Sequence, residues 1–113
     1  MTEKEIQYEI RKVISQYPNI RLWRNNVGSM TDKNGQMVTF GLCPGSSDLI
    51  GLESVIVTPD MVGKTIARFL AIEVKSEKGK ASESQSKFLE MVQSLGGVGI
   101  LARSSEEVEK NLK

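Results

Sequence analysis

The stretch ARFLAIEVK, residues 67–75, decides how the rest of the sequence is read. Its nearly continuous apolar run is short and bounded by polar segments, which predicts a largely buried strand over residues 67–74. Residues two apart in a strand share a face. Glu73 and Lys75 therefore project together, and Val74 is expected to point the other way, into the core. A carboxylate at the end of such a run is costly to bury without a partner. A divalent cation shared with a second carboxylate would be one. Asp48 offers that second group: it follows Gly45-Ser46-Ser47 and opens another predicted strand. Oxygen ligands of this kind suit Mg²⁺ or Mn²⁺. On spacing alone, an exposed ion pair between Glu73 and Lys75 and a turn role for Asp48 account for the same residues.

Working toward the N-terminus, residues 58–64 read as a connection and residues 48–57 as a strand, with an interruption near Gly51. Residues 37–40 form a short return strand after the turn Asp32-Lys33-Asn34-Gly35, whose Asn-Gly pair is a hairpin signal. Residues 20–25 (IRLWRN) alternate as a strand, with Trp23 expected inside and Arg24 outside. Ahead of them, Ile6, Ile10, Val13, Ile14 and Tyr17 recur at helical spacing, with Thr2 as the cap and Pro18-Asn19 as the stop. Toward the C-terminus, residues 75–82 form a polar loop and residues 83–95 a helix that Gly96-Gly97 ends. Residues 98–102 make a last strand. Residues 104–112 make a last helix, capped by Ser104 or Ser105. The expected order is α-β-β-β-β-α-β-α.

Composition narrows the chemistry. The 113 residues suit one compact domain, here residues 1–113. There is no histidine, which excludes histidine-based triads and histidine-ligated zinc. The lone Cys43 permits no intrachain disulfide and reads as a small packing residue. The net charge of +1 is no basic footprint, so nucleic-acid binding would need a local basic face or two copies of the chain. The charged first residues do not resemble a signal peptide, and no apolar run is long enough to span a bilayer. A cytoplasmic protein is expected.

Two further polar residues fall on apolar helix faces. At about 100° per residue, Glu3 lies within the stripe of Ile6, Ile10, Val13 and Tyr17. It is either a capping residue or a third site carboxylate. Gln85 lies in the stripe of Phe88, Leu89 and Val92. It either bonds the helix entry or reaches Lys75 or a phosphate. Arg24, Lys33, Lys64, Lys78, Lys80 and Lys87 are candidate contacts to a phosphate backbone, and each also reads as ordinary solvated surface.

Together these segments resemble the virus-type replication-repair nuclease (VRR-NUC) domain of the PD-(D/E)xK, restriction-endonuclease-like superfamily. The matching residues run in order over nearly the whole chain: Glu3-x-x-Ile6-Gln7, Trp23 to Gly28, Phe40-Gly41, Gly45 to Asp48, Ile72 to Lys75, Gln85 and Gly96-Gly97. The family often places Pro before the aspartate, where this chain has Ser47.

The resemblance implies an α/β fold with a mixed central β-sheet flanked by helices. It implies Mg²⁺ or Mn²⁺ held by Asp48, Glu73 and the Val74 backbone carbonyl, with Glu3 assisting. Lys75 would be the catalytic lysine and Gln85 the family's glutamine. The implied activity is metal-dependent, structure-selective endonucleolytic hydrolysis of DNA, with branched or Holliday-junction DNA as substrate and a homodimer as the working form. Phage or bacterial DNA repair is the implied setting. The competing reading is a catalytically inactive nuclease-fold DNA-binding module.

Overall fold

In the computed structural model, which describes residues 1–112, the chain forms two compact units that divide after Glu53. The first contains helix α1 (Glu3–Ile14) and strands β1 (Ile20–Arg24), β2 (Gly28–Thr31), β3 (Met37–Phe40) and β4 (Leu49–Glu53). The second contains a 3₁₀ turn (Pro59–Met61), strand β5 (Leu70–Val74), helix α2 (Glu83–Ser94), strand β6 (Val98–Ala102) and helix α3 (Ser105–Asn111). The protein is a mixed α/β chain whose strands pair as small two-stranded ladders.

Helix starts follow local chemistry. Thr2 and Glu5 form a reciprocal capping box at α1, and Ser82 and Gln85 form another at α2. Ser104 caps α3 by accepting from the Glu107 N–H. At the far end of α2, Gly96 adopts a φ of 94°, and the Gly97 N–H returns to the Val92 carbonyl. This turn satisfies carbonyls that the helix leaves unpaired.

In the first unit, β1 and β4 pair antiparallel, with Ile20 opposite Glu53 and Arg24 opposite Leu49. A separate hairpin pairs β2 with β3 across the expected turn. One Asp32 carboxylate oxygen accepts from the Asn34 and Gln36 N–H groups and shapes that turn. The partner of residues 37–40 is therefore Gly28–Thr31, a strand the sequence reading omits, and the expected order gains one strand. Gly-Ser-Met-Thr carries no apolar alternation to announce it.

β4 is shorter than the expected strand over residues 48–57. It stops at Glu53 because β1, five residues long, offers nothing to pair with beyond Ile20. Val55, Ile56 and Val57 are apolar but exposed and outside any strand. Trp23 is half-buried and Arg24 exposed, in the expected sense. Cys43, expected to pack, is an exposed free thiol.

In the second unit, β5 and β6 pair in parallel, with Leu70 opposite Val98 and Val74 opposite Ala102. Helix α2 connects them and packs on both strands, while α3 packs on β6. Val92, Ile100 and Ala102 are the buried apolar residues. The expected strand over residues 67–74 begins only at Leu70, and its burial alternates. Ala71, Glu73 and Lys75 lie on the partly covered face, whereas Val74 is 71% exposed rather than turned into the core. The covering helix of this unit takes the odd-numbered side. Among the described residues, no helix is long and apolar enough to cross a membrane.

Candidate active site

The second unit carries one cluster intact. Glu73 on β5 and Lys75, the residue directly after it, project to the same side, as the period of two requires. The Lys75 Nζ lies 3.3 Å from a Glu73 carboxylate oxygen, with side chains 22% and 28% exposed. Beside them is a cavity of about 200 Å³ lined by Ala71, Ile72, Glu73, Ser84, Gln85, Phe88 and Leu89. Glu73 and Gln85 thus border one space, placed there by β5 and the first turn of α2.

Gln85 satisfies the plainer of its two expected roles. Its side-chain oxygen accepts from the Ser82 N–H at 2.9 Å and its own N–H donates to the Ser82 hydroxyl at 3.1 Å. The donors of its amide nitrogen take no part in the cap.

The Val74 carbonyl is also placed usefully. The Phe69 carbonyl and the Lys75 N–H both bond to β6. Alternate residues of a parallel strand turn their backbone groups to opposite edges. The Val74 carbonyl therefore points to the edge of β5 away from β6, outside that ladder.

The loop behind Lys75 is tied down by a residue with no sequence signal. The Arg103 guanidinium, just past β6, donates to the Gly79 carbonyl at 2.6 Å and also to the Ser76 carbonyl at 2.5 Å. Both bonds span more than twenty residues of sequence, so local pattern cannot reveal them.

The first unit carries Asp48, Glu3 and Arg24. Asp48 is exposed, and its carboxylate makes no hydrogen bond or ion pair among the described residues. Its backbone carbonyl accepts from the Asn25 N–H at 2.8 Å. Glu3 is exposed, and the carboxylate that completes the capping box with Thr2 is that of Glu5, not Glu3. Arg24 makes a long contact of 3.5 Å to the Asn26 side chain. Of the other basic candidates, Lys87 pairs with Glu83 at 3.0 Å one turn earlier, and Lys78 and Lys80 are exposed.

Each unit by itself offers hard oxygen donors: in the first, the Asp48 carboxylate, unengaged among the described residues; in the second, the Glu73 oxygen that Lys75 does not hold and the Val74 carbonyl outside its ladder. Among the described residues, no group of three or more His, Cys, Asp or Glu side chains converges as a self-contained metal cage. Neither the curated proteins nor the solved structures compared with the chain give a match. The model of the VRR-NUC domain, in contrast, matches residues 1–106, including every candidate residue described above. That match covers nearly all of the sequence and both units, and by it the chain belongs to the VRR-NUC family of nucleases.

Proposed function

We propose that this protein is a divalent-metal-dependent endodeoxyribonuclease and that its two units together make one nuclease domain. The observation that carries the reading is the Glu73–Lys75 pair. It is a half-buried carboxylate and amine on one strand face, beside a cavity bordered by Gln85, in a chain of a nuclease family.

Asp48, Glu73 and the Val74 carbonyl would hold Mg²⁺ or Mn²⁺, with Glu3 assisting. The ion, when bound, supplies Lewis-acid polarisation of the phosphate and acidifies a water. The protein does the rest. Glu73 fixes the Lys75 amine, and that amine orients the attacking water or offsets charge as it builds on the phosphoryl oxygens. Gln85 positions a phosphate or the water through its amide nitrogen. Arg24, Lys78, Lys80 and Lys87 would contact the backbone of the DNA and fix its register without reading sequence.

The preferred substrate is branched DNA, including four-way junctions. The working form is a homodimer, since two symmetric cuts need two sites related by a two-fold axis. A cytoplasmic role in DNA repair fits that substrate. The test is a cleavage panel of junction, flap, nicked, single-stranded and linear duplex DNA with Mg²⁺ or Mn²⁺. Wild type should cut, with preference for branched substrates, and Asp48→Ala should not. Tight DNA binding without cleavage by wild type would instead establish a non-catalytic binding module.

A further inference from the structure

We propose that Asn25 is the positioning residue for Asp48, an inference that rests on the nuclease reading above. Asn25 directly follows β1, and its backbone N–H bonds to the Asp48 carbonyl. Its side chain enters the loop that leads to Asp48. The side-chain oxygen accepts from the Leu42 N–H at 2.9 Å. The amide nitrogen donates to the Ser46 hydroxyl at 2.7 Å and to the Ser47 carbonyl at 2.9 Å.

These bonds fix the backbone from which the Asp48 side chain projects. The Ser47 carbonyl belongs to the peptide before the Asp48 Cα, and the Asp48 carbonyl belongs to the peptide after it. Both carbonyls are held by Asn25, one through its side chain and one through its backbone. With both flanking peptide planes held, the φ and ψ of Asp48 are set, and so is its Cα–Cβ vector. Ser47 lacks the ring by which a proline would fix its own φ. A hydrogen bond to its carbonyl supplies order at the same place.

The polarity of the site admits only an amide. The Leu42 N–H can only donate and the Ser47 carbonyl can only accept, so position 25 must present an acceptor at one end and a donor at the other. Aspartate has the same shape but would set an oxygen 2.9 Å from the Ser47 carbonyl oxygen. The Ser46 hydroxyl is already committed as a donor to the Cys43 carbonyl. The loop also needs the tether. Gly41 and Gly45 hold φ of 87° and 84°, a region other residues avoid. Cys43, Pro44 and Ser47 are exposed, so packing does not hold the segment.

The test compares full-length wild type with Asn25→Asp, Asn25→Ala and the milder Ser46→Ala. Mn²⁺ binding is read by electron paramagnetic resonance of the free ion, DNA cleavage across a Mn²⁺ titration, and folding by circular dichroism and thermal melting. The proposal expects a rise of about 10–100-fold in the Mn²⁺ needed by Asn25→Asp, as for other residues that orient metal ligands. Asn25→Asp should be at least as impaired as Asn25→Ala despite its shape, and Ser46→Ala should be impaired less. Maximal cleavage at saturating Mn²⁺ should fall by a smaller factor than the Mn²⁺ requirement rises.

A folded Asn25→Asp with the wild-type Mn²⁺ requirement, beside an active wild type, overturns this inference alone. So does a wild-type requirement in Ser46→Ala when both Asn25 variants fail to fold. A wild type that neither binds Mn²⁺ nor cuts DNA overturns the nuclease reading, and this inference with it.

Discussion

The two units hold their acidic side chains in different ways. In the second, Glu73 rides on a strand paired with β6 and covered by α2, and the unit is anchored by fully or almost fully buried Val92, Ile100 and Ala102. In the first, no residue is fully buried. There Asp48 stands at the end of a loop whose shape comes from hydrogen bonds converging on one amide. Packing spreads its stabilisation over many atoms, so no single contact decides where Glu73 points. Polar tethering concentrates it, so one wrong atom at position 25 misdirects Asp48. A nuclease of this kind therefore has a robust half and a brittle half.

The largest expected effect tests whether the halves serve one reaction. Asp48→Ala and Glu73→Ala should each reduce cleavage by about 10²–10³-fold or more, with Lys75→Ala in the same range. Folding should survive all three, since none of these residues is fully buried. Combining Asp48→Ala with Glu73→Ala should cost little more than either alone, because residues acting as a unit are not additive. Additive losses would mean that the halves act separately. The next effect is on stability. Val92→Ala removes a fully buried side chain and should lower unfolding free energy by about 2 kcal/mol, measured by denaturant titration. Val13→Ala, on an exposed part of α1, should change it by less than about 0.5 kcal/mol. Equal costs would erase the contrast between the units.

What the sequence discloses follows the same division. Strand β6, helix α2 and the side-by-side placement of Glu73 and Lys75 follow from periodicity, because burial on one face writes a period into the residues. The capping residues Thr2 and Ser104 are legible for a local reason: the bond they make spans three residues. β2 is hidden because Gly28, Ser29 and Thr31 bury little and announce nothing. Val55-Ile56-Val57 misleads in the other direction, since apolar composition cannot supply a missing partner strand. Val74 misleads too: alternation separates the two faces of β5 but does not say which one α2 covers. Asn25 falls in the matching segment Trp23 to Gly28, but its role, like that of Arg103, stays silent because the partners lie seventeen or more residues away and are mostly backbone atoms, which carry no residue identity. Periodicity thus finds Glu73 and its surroundings, while the support of Asp48 appears only in three dimensions.

Arg103 complicates the contrast, because it gives the packed unit a polar tether of its own. Arg103→Met keeps the aliphatic stem and removes the bonds to the Ser76 and Gly79 carbonyls. The expected cost is about 1 kcal/mol, since these exposed carbonyls regain water. Amide exchange should quicken in residues 76–80 and not in β5. Exchange that quickens through β5 as well would show that Lys75, like Asp48, depends on hydrogen bonds rather than on packing.

The smallest effect concerns Lys87, whose exposed pair with Glu83 spans one helical turn. Such pairs contribute about 0.3–0.5 kcal/mol, so Lys87→Ala should barely move the melting temperature. DNA binding separates the two roles open to this lysine. If its ammonium contacts a phosphate, Lys87→Ala weakens binding uniformly across sequences, and the slope of log K against log salt falls by about one. If it serves only Glu83, the slope stays at the wild-type value. An altered slope with unchanged stability would extend the DNA-facing surface of the second unit from the Lys78–Lys80 loop onto α2. The robust half would then supply both the scaffold for Glu73 and the grip on the substrate.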